Sequence, residues 1–136
     1  MSTPSPAPPG ERPSVLVIED DLGVRRLLQA HLVRLGCDVR LAATGEEGLA
    51  LAFAAAPDVA VVDVVLPGLD GLDVVRTLRG HRGTRGCAVV LTTVLEPDDL
   101  GDLADVGPDA VLPKPFTRTD VARALAAVRP LAQELP

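Results

Sequence analysis

Short apolar runs alternate with amphipathic segments along most of the chain, and this alternation is the feature that most constrains its fold. The first run, SVLVI, is rich in β-branched residues, and the next segment spaces its leucines as a helix does until Gly36. This succession of an apolar run and an amphipathic segment occurs five times. This pattern predicts strands at 14–18, 37–41, 58–62, 88–91 and 110–112, and helices at 22–35, 44–55, 71–79, 97–106 and 117–128.

The strands are apolar throughout instead of alternating with polar residues, which indicates a sheet covered on both faces. Regular strand–helix alternation of this kind predicts an α/β fold with a parallel sheet and right-handed crossovers. The chain begins with MSTPSPAPPGERP, which is rich in proline and serine and predicts a disordered tail over 1–13. One domain is expected over 14–129, followed by a C-terminal tail over 130–136.

Composition narrows the range of partners and compartments. The net charge of −6, without a basic stripe, argues against direct binding of nucleic acid. No apolar run reaches membrane-spanning length and no signal-peptide pattern is present, so a soluble cytoplasmic protein with no membrane contact is expected. Cys37 and Cys87 lack CxxC spacing and are interpreted as buried thiols. Nothing in the composition decides between a monomer and a homodimer.

Polar residues follow four of the five predicted strands. In a parallel α/β fold, the carboxyl ends of the strands meet at one edge, where functional sites lie. The residues in these positions are Glu19, Asp20, Asp21, Asp63, Thr92, Thr93 and Lys114. An aspartate after a strand is also a common helix cap, and capping is the preferred interpretation for Asp21 and for Asp70.

Such a set of residues suits phosphoryl chemistry. Crowded carboxylates repel one another, and a divalent cation relieves the repulsion. Oxygen ligands of this kind fit Mg²⁺, which also accepts phosphate oxygens. A carboxylate can attack phosphorus, while a hydroxyl and the Lys114 ammonium stabilise the charge on the transferring group.

Four motifs together identify a family that the chain resembles. They are VLVIEDD at 15–21, VVDVVLPGLDG at 61–71, VVLTT at 89–93 and LPKPF at 112–116. In this order and spacing, they resemble the receiver domain of two-component response regulators, here as a stand-alone domain. The resemblance implies a flavodoxin-like, doubly wound (βα)5 fold with a five-stranded parallel sheet in the order 2-1-3-4-5. It also implies phosphotransfer from a histidine kinase or phosphotransfer protein, and signalling through contacts with an unidentified downstream protein.

The resemblance assigns roles residue by residue. Asp63 corresponds to the phosphoacceptor, and Lys114 to the lysine that pairs with the phosphoryl group, followed by a proline in a cis peptide. The Mg²⁺ ligands that the resemblance implies are Glu19, Asp20, Asp63 and the backbone carbonyl of Val65. Such a domain is not an enzyme beyond catalysing its own phosphorylation and dephosphorylation.

The identity of the hydroxyl residue is ambiguous from the sequence. Counting back from Lys114 favours Thr92, whereas counting forward from Asp63 favours Thr93. The glycine-rich loop over 80–86 is the easier place to lose a residue, so Thr92 is preferred.

Two rival functions would suit part of this pattern. A haloacid-dehalogenase-type phosphatase would carry a second aspartate two residues after the nucleophile, where this chain has Val65. A pseudo-receiver, folded alike but acting as an unphosphorylated protein-binding module, remains the alternative. Its case rests on departures from the family pattern, such as Val111 at a position where many receivers have an aromatic residue.

Overall fold

The computed structural model describes residues 12–94 and 105–133, with the side chains of 129–133 excluded. Its strands are β1 (Ser14–Ile18), β2 (Asp38–Ala42), β3 (Val59–Asp63), β4 (Ala88–Thr93) and β5 (Ala110–Pro113). Its helices are α1 (Leu22–Arg34), α2 (Gly45–Ala54), α3 (Gly71–Gly80) and α4 (Arg118–Gln133). The helix predicted over 97–106 and the tail predicted over 1–13 lie almost entirely outside the described residues.

The five strands form one parallel sheet in the order β2-β1-β3-β4-β5, which confirms the predicted architecture. The register aligns the carboxyl ends of neighbouring strands. Ile18 lies opposite Val62, and Asp63 lies opposite Thr92. Residues that follow different strands are thereby brought to the same edge of the sheet.

The sheet buries an aliphatic core on each face. Alternate residues of β1 divide between the two, with Leu16 and Ile18 on one side and Val15 and Val17 on the other. The first side packs against α2 and α3, and the second packs against α1 and α4. Every residue of β3 is buried. Because both faces are covered, the fold is doubly wound, and the uniformly apolar strands are explained.

Polar side chains cap the starts of the four described helices. The Asp21 carboxylate accepts a hydrogen bond from Val24 N at 2.9 Å, and the Asp70 carboxylate accepts one from Asp73 N at 2.9 Å. Thr44 Oγ1 accepts from Glu47 N at 3.1 Å. Each such cap typically stabilises a helix by about 1 kcal/mol. The capping role preferred for Asp21 and Asp70 is confirmed.

Two element boundaries differ from the prediction by two residues or more. Strand β4 continues through Thr92 and Thr93, because their carbonyls accept hydrogen bonds from Val64 N at 3.0 Å and Lys114 N at 2.7 Å. Helix α4 continues past its predicted end at 128, into the predicted tail, and ends at Gln133. Proline removes one hydrogen bond, but its fixed φ is helical, so the backbone can continue beyond it.

The structure also bears on the predictions about the two cysteines and about membrane-spanning segments. Cys37 and Cys87 are buried thiols and do not form a disulfide with each other. No helix within the described ranges is both long enough and apolar enough to cross a membrane.

Candidate functional site

The carboxyl edge of the sheet gathers the predicted polar residues. Asp63, the last residue of β3, is only 6% exposed, and Glu19, directly after β1, is only 1% exposed. Asp20, the next residue along the chain, is exposed. Lys114 lies directly after β5, and its peptide bond to Pro115 is cis, as the resemblance implied. Four separate strands therefore contribute to one site once Thr92 is included.

Lys114 is bonded to both buried carboxylates. Its Nζ donates to Asp63 Oδ2 at 2.9 Å and to Glu19 Oε1 at 3.0 Å. The sequence predicted that Lys114 would lie near Asp63, but it did not predict the contact with Glu19. These residues are 95 positions apart, and only the side-by-side packing of the strands brings them together.

Burial dominates the electrostatics of this cluster. The net pKa of Glu19 is raised from its ordinary 4.5 to about 8. Desolvation is the largest cause, the neighbouring Asp63 carboxylate also raises the pKa, and Lys114 lowers it. Burial alone lowers the pKa of Lys114, but its hydrogen bonds to Asp63 and Glu19 outweigh that effect and the net pKa is raised. Lys114 therefore stays an ammonium, and the site favours a further positive charge.

Three carboxylates are arranged so that they could hold a cation. One oxygen each from Glu19, Asp20 and Asp63 lies within 4.8 Å of the others. Glu19 Oε2 is buried, and no hydrogen-bond partner for it lies among the described residues. A set of hard oxygen donors with an unsatisfied buried oxygen fits Mg²⁺. Val65 is at the same edge, with its N–H donating to Asp63 Oδ1 at 3.1 Å.

The two candidate threonines have different surroundings. Thr92 pairs directly with Asp63 across the sheet, and its Oγ1 is buried without a partner within the described part of the chain. Thr93 is one position further along β4, opposite Pro113, and is also buried. A buried hydroxyl beside Asp63 could donate to an oxygen bound there, and this position favours Thr92 over Thr93.

Two supporting contacts were not foreseen. Arg25 on α1 donates through Nη1 to the carbonyls of Glu19 at 2.8 Å and Asp20 at 3.3 Å, which fixes the acidic loop. Gly71 packs so closely that a Cβ there would lie 2.0 Å from the Asp63 carbonyl oxygen. A glycine at the first position of a helix, directly after a capping aspartate, is the sequence signal that could have indicated this contact.

Comparison with known proteins agrees with the geometry. The family model for the response regulator receiver domain matches residues 15–126. The transcriptional regulator RpaA of Synechocystis is 38% identical over 120 residues, which cover 88% of this chain and 48% of that protein. AfsQ1 of Streptomyces coelicolor is 50% identical over 58 residues, covering 43% of this chain and 26% of its own length. The chain thus spans about half or less of these two relatives.

Solved structures give the same result for the fold. The chemotaxis response regulator CheY4 of Vibrio cholerae has a TM-score of 0.82 at 28% identity, covering 86% of this chain and 98% of its own. The BeF3-activated DrrB receiver domain has a TM-score of 0.75 at 27% identity, and the match covers 87% of this chain and 98% of the DrrB chain. With the flavodoxin-like strand order and the acidic edge of the sheet, these matches show that the chain belongs to the response regulator receiver domain family.

Proposed function

We propose that this receiver domain accepts a phosphoryl group on Asp63 and signals through the resulting change in its surface. The observation that carries the proposal is the 2.9 Å contact between Lys114 Nζ and Asp63 Oδ2 at the carboxyl edge of the sheet. It places a fixed ammonium beside a buried carboxylate that already lies within reach of two other carboxylates. This is an arrangement suited to accumulating negative charge on a transferred group.

In the proposed reaction, an Asp63 carboxylate oxygen attacks the phosphorus of a phosphohistidine on the donor protein. The new bond is P–O, the broken bond is P–N, and the leaving imidazole takes up a proton. Lys114 is already within 2.9 Å of Asp63 and would stabilise charge on the phosphoryl oxygens. Thr92 Oγ1, unpaired among the described residues, would donate to another of them.

Mg²⁺ is the proposed cofactor, held by Glu19, Asp20 and Asp63 together with the backbone carbonyl of Val65. When bound, it would offset the carboxylate charges and the charge of the incoming phosphoryl group. Asp20 is exposed and suited to direct ligation, whereas Glu19 is buried against Lys114 and suited to a supporting role. Arg25 would keep both acidic residues in place through their carbonyls.

The proposed donor is a histidine kinase or a phosphotransfer protein, and the proposed recipient of the signal is a downstream protein in the cytoplasm. We propose no direct contact with nucleic acid or membrane, and the domain would catalyse only its own phosphorylation and dephosphorylation. The matched regions cover only 48% of RpaA and 26% of AfsQ1, so the outputs of these two transcriptional regulators are not carried over.

Intact-mass spectrometry after incubation with acetyl phosphate tests the proposal. The wild type should gain about 80 Da with Mg²⁺ and nothing with a chelator, and Asp63→Asn should gain nothing under either condition. Asp21→Asn is the matched control, because it removes one nearby carboxylate while keeping a good helix cap. It should be phosphorylated as the wild type is.

Two results would count against the proposal. Equal phosphate uptake by wild type and Asp63→Asn would place the acceptor elsewhere. No uptake by the wild type, from acetyl phosphate or from phosphohistidine donors, would favour the pseudo-receiver alternative.

A further inference from the structure

The loop over 64–70, between β3 and α3, is held by a side chain from a different element. Glu46 Oε1, in the first turn of α2, accepts a hydrogen bond from Leu69 N at 3.1 Å. The two residues are 23 positions apart, so the bond joins two elements that the chain does not join directly. The side-chain hydrogen bonds from Val65 N to Asp63 Oδ1 and from Asp73 N to Asp70 Oδ1 tie the loop only to its flanking elements, β3 and α3.

The surroundings of this contact are shaped to bring the loop close to α2. A Cβ on Gly45 would lie 2.8 Å from the Leu69 carbonyl oxygen, so only glycine permits this approach. Gly68 has a φ of +71°, and a Cβ there would lie 3.4 Å from Glu46 Oε1. Glycine is therefore suited to both positions, one on each side of the contact, which indicates a specific arrangement.

The same loop contains Val65, whose carbonyl is the proposed backbone ligand of Mg²⁺. The loop is short, and its ends are fixed by backbone bonds from Val64 N to Thr92 O at 3.0 Å and from Gly71 N to Val64 O at 3.0 Å. Residues 65–68 lie between these ends and Leu69. Val65 N is held by Asp63 Oδ1 at 3.1 Å, and the freedom of the residues that follow it depends on whether Leu69 is also held.

We infer that Glu46 is a positioning residue for Mg²⁺ binding, acting through Leu69 on the loop that presents the Val65 carbonyl. This inference rests on the proposed function. Glu46 itself is exposed on α2 and is not among the clustered carboxylates, so its effect comes from fixing the loop and not from ligation. Without the bond, the loop must lose freedom when Mg²⁺ binds, and the affinity falls.

Calorimetric titration of the unphosphorylated full chain with Mg²⁺ tests the inference in four proteins. Glu46→Ala should raise the dissociation constant for Mg²⁺ about three- to tenfold, the range that corresponds to the loss of one net hydrogen bond. Glu46→Gln should restore affinity to within about twofold of wild type, because its carbonyl oxygen can still accept from Leu69 N. Glu47→Ala is the matched control, since it removes the same charge from the same helical turn, where Glu47 faces Ala43 N and not the loop.

A second readout detects the bond in the absence of Mg²⁺. The amide proton of Leu69 should shift upfield in Glu46→Ala but keep its wild-type position in Glu47→Ala. Equal Mg²⁺ affinity in wild type and Glu46→Ala would overturn the inference and leave the proposed function intact. Equal weakening in Glu46→Gln and Glu46→Ala would also overturn it, because charge and not the hydrogen bond would then be responsible. Absence of Mg²⁺ binding to the wild type would end both proposals.

Discussion

Gly71→Ala gives a prediction whose size follows from the structure. The added Cβ would lie 2.0 Å from the Asp63 carbonyl oxygen and 2.8 Å from Val64 Cα, whereas ordinary contacts begin at 3.4 Å. Both neighbours are backbone atoms, so no side-chain rotation can relieve the clash. Helix α3 or the end of β3 must move by about 1.0 to 1.4 Å to bring this contact into the range that real Cβ atoms show.

Overpacking of this kind typically costs about 1–3 kcal/mol, a substantial part of the roughly 5–15 kcal/mol that stabilises a domain. For a domain of this size, the melting temperature should fall by roughly 5–10 °C. Because the displaced atoms belong to Asp63 and its neighbour, phosphate uptake should also slow. Thermal unfolding followed by circular dichroism, together with a phosphorylation time course, measures both effects.

Gly80→Ala is the matched control on the same helix. A Cβ at Gly80 meets nothing within 4 Å. Alanine has the higher helix propensity, so the substitution should add between zero and about 1 kcal/mol to the free energy of unfolding and should not lower the melting temperature. Similar behaviour of Gly71→Ala and Gly80→Ala in both assays would refute the reasoning. It would mean that the close approach to Asp63 is not important.

Further predictions concern pH, phosphate lifetime and the conformational switch. The pKa of Glu19 is raised in the folded protein, so in the metal-free protein this group contributes stability that is present below about pH 4.5 and lost as the pH rises through about 8. Glu19→Gln should therefore flatten the dependence of the free energy of unfolding on pH over this range, as measured by chemical denaturation. An unchanged slope would contradict this prediction. The apolar side chains of Val65 and Val94 are 63% and 65% exposed and cannot orient a water, so the phosphorylated protein should lose its phosphate slowly. The loss should be faster in Val65→Asn and Val94→Glu, and equal rates in all three proteins would exclude shielding by these side chains. Val111 has no ring to swing, so beryllofluoride should change amide exchange mainly outside β5; strong changes confined to β5 would argue the opposite.

The elements and the position of the site could be predicted because they depend on local patterns. Apolar runs marked all five strands, and Asp21, Thr44 and Asp70 marked the starts of three helices. The rule that parallel strands end at one edge then placed Asp63 and Lys114 together, and the structure has them 2.9 Å apart.

What could not be predicted depends on distances between distant parts of the chain. The contact between Lys114 and Glu19 requires the exact packing of β1 against its neighbours, and no local pattern encodes it. Counting residues gave two alignments because loop lengths vary, and Thr92 was only preferred over Thr93, whereas strand register places Thr92 opposite Asp63. The end of β4 was predicted two residues early, since threonines suit both strands and loops.

Chemical mapping of the phosphorylated residue tests the central claim most directly. The protein is incubated with acetyl phosphate and Mg²⁺ and then treated with borohydride, which reduces an acyl phosphate to an alcohol and leaves free carboxylates unchanged. Tandem mass spectrometry of the resulting peptides should find homoserine at position 63 and at no other acidic position, and only when the phosphodonor was present. Homoserine at Asp20 or Asp58 instead, or at no position in a protein that has gained phosphate, would contradict the account.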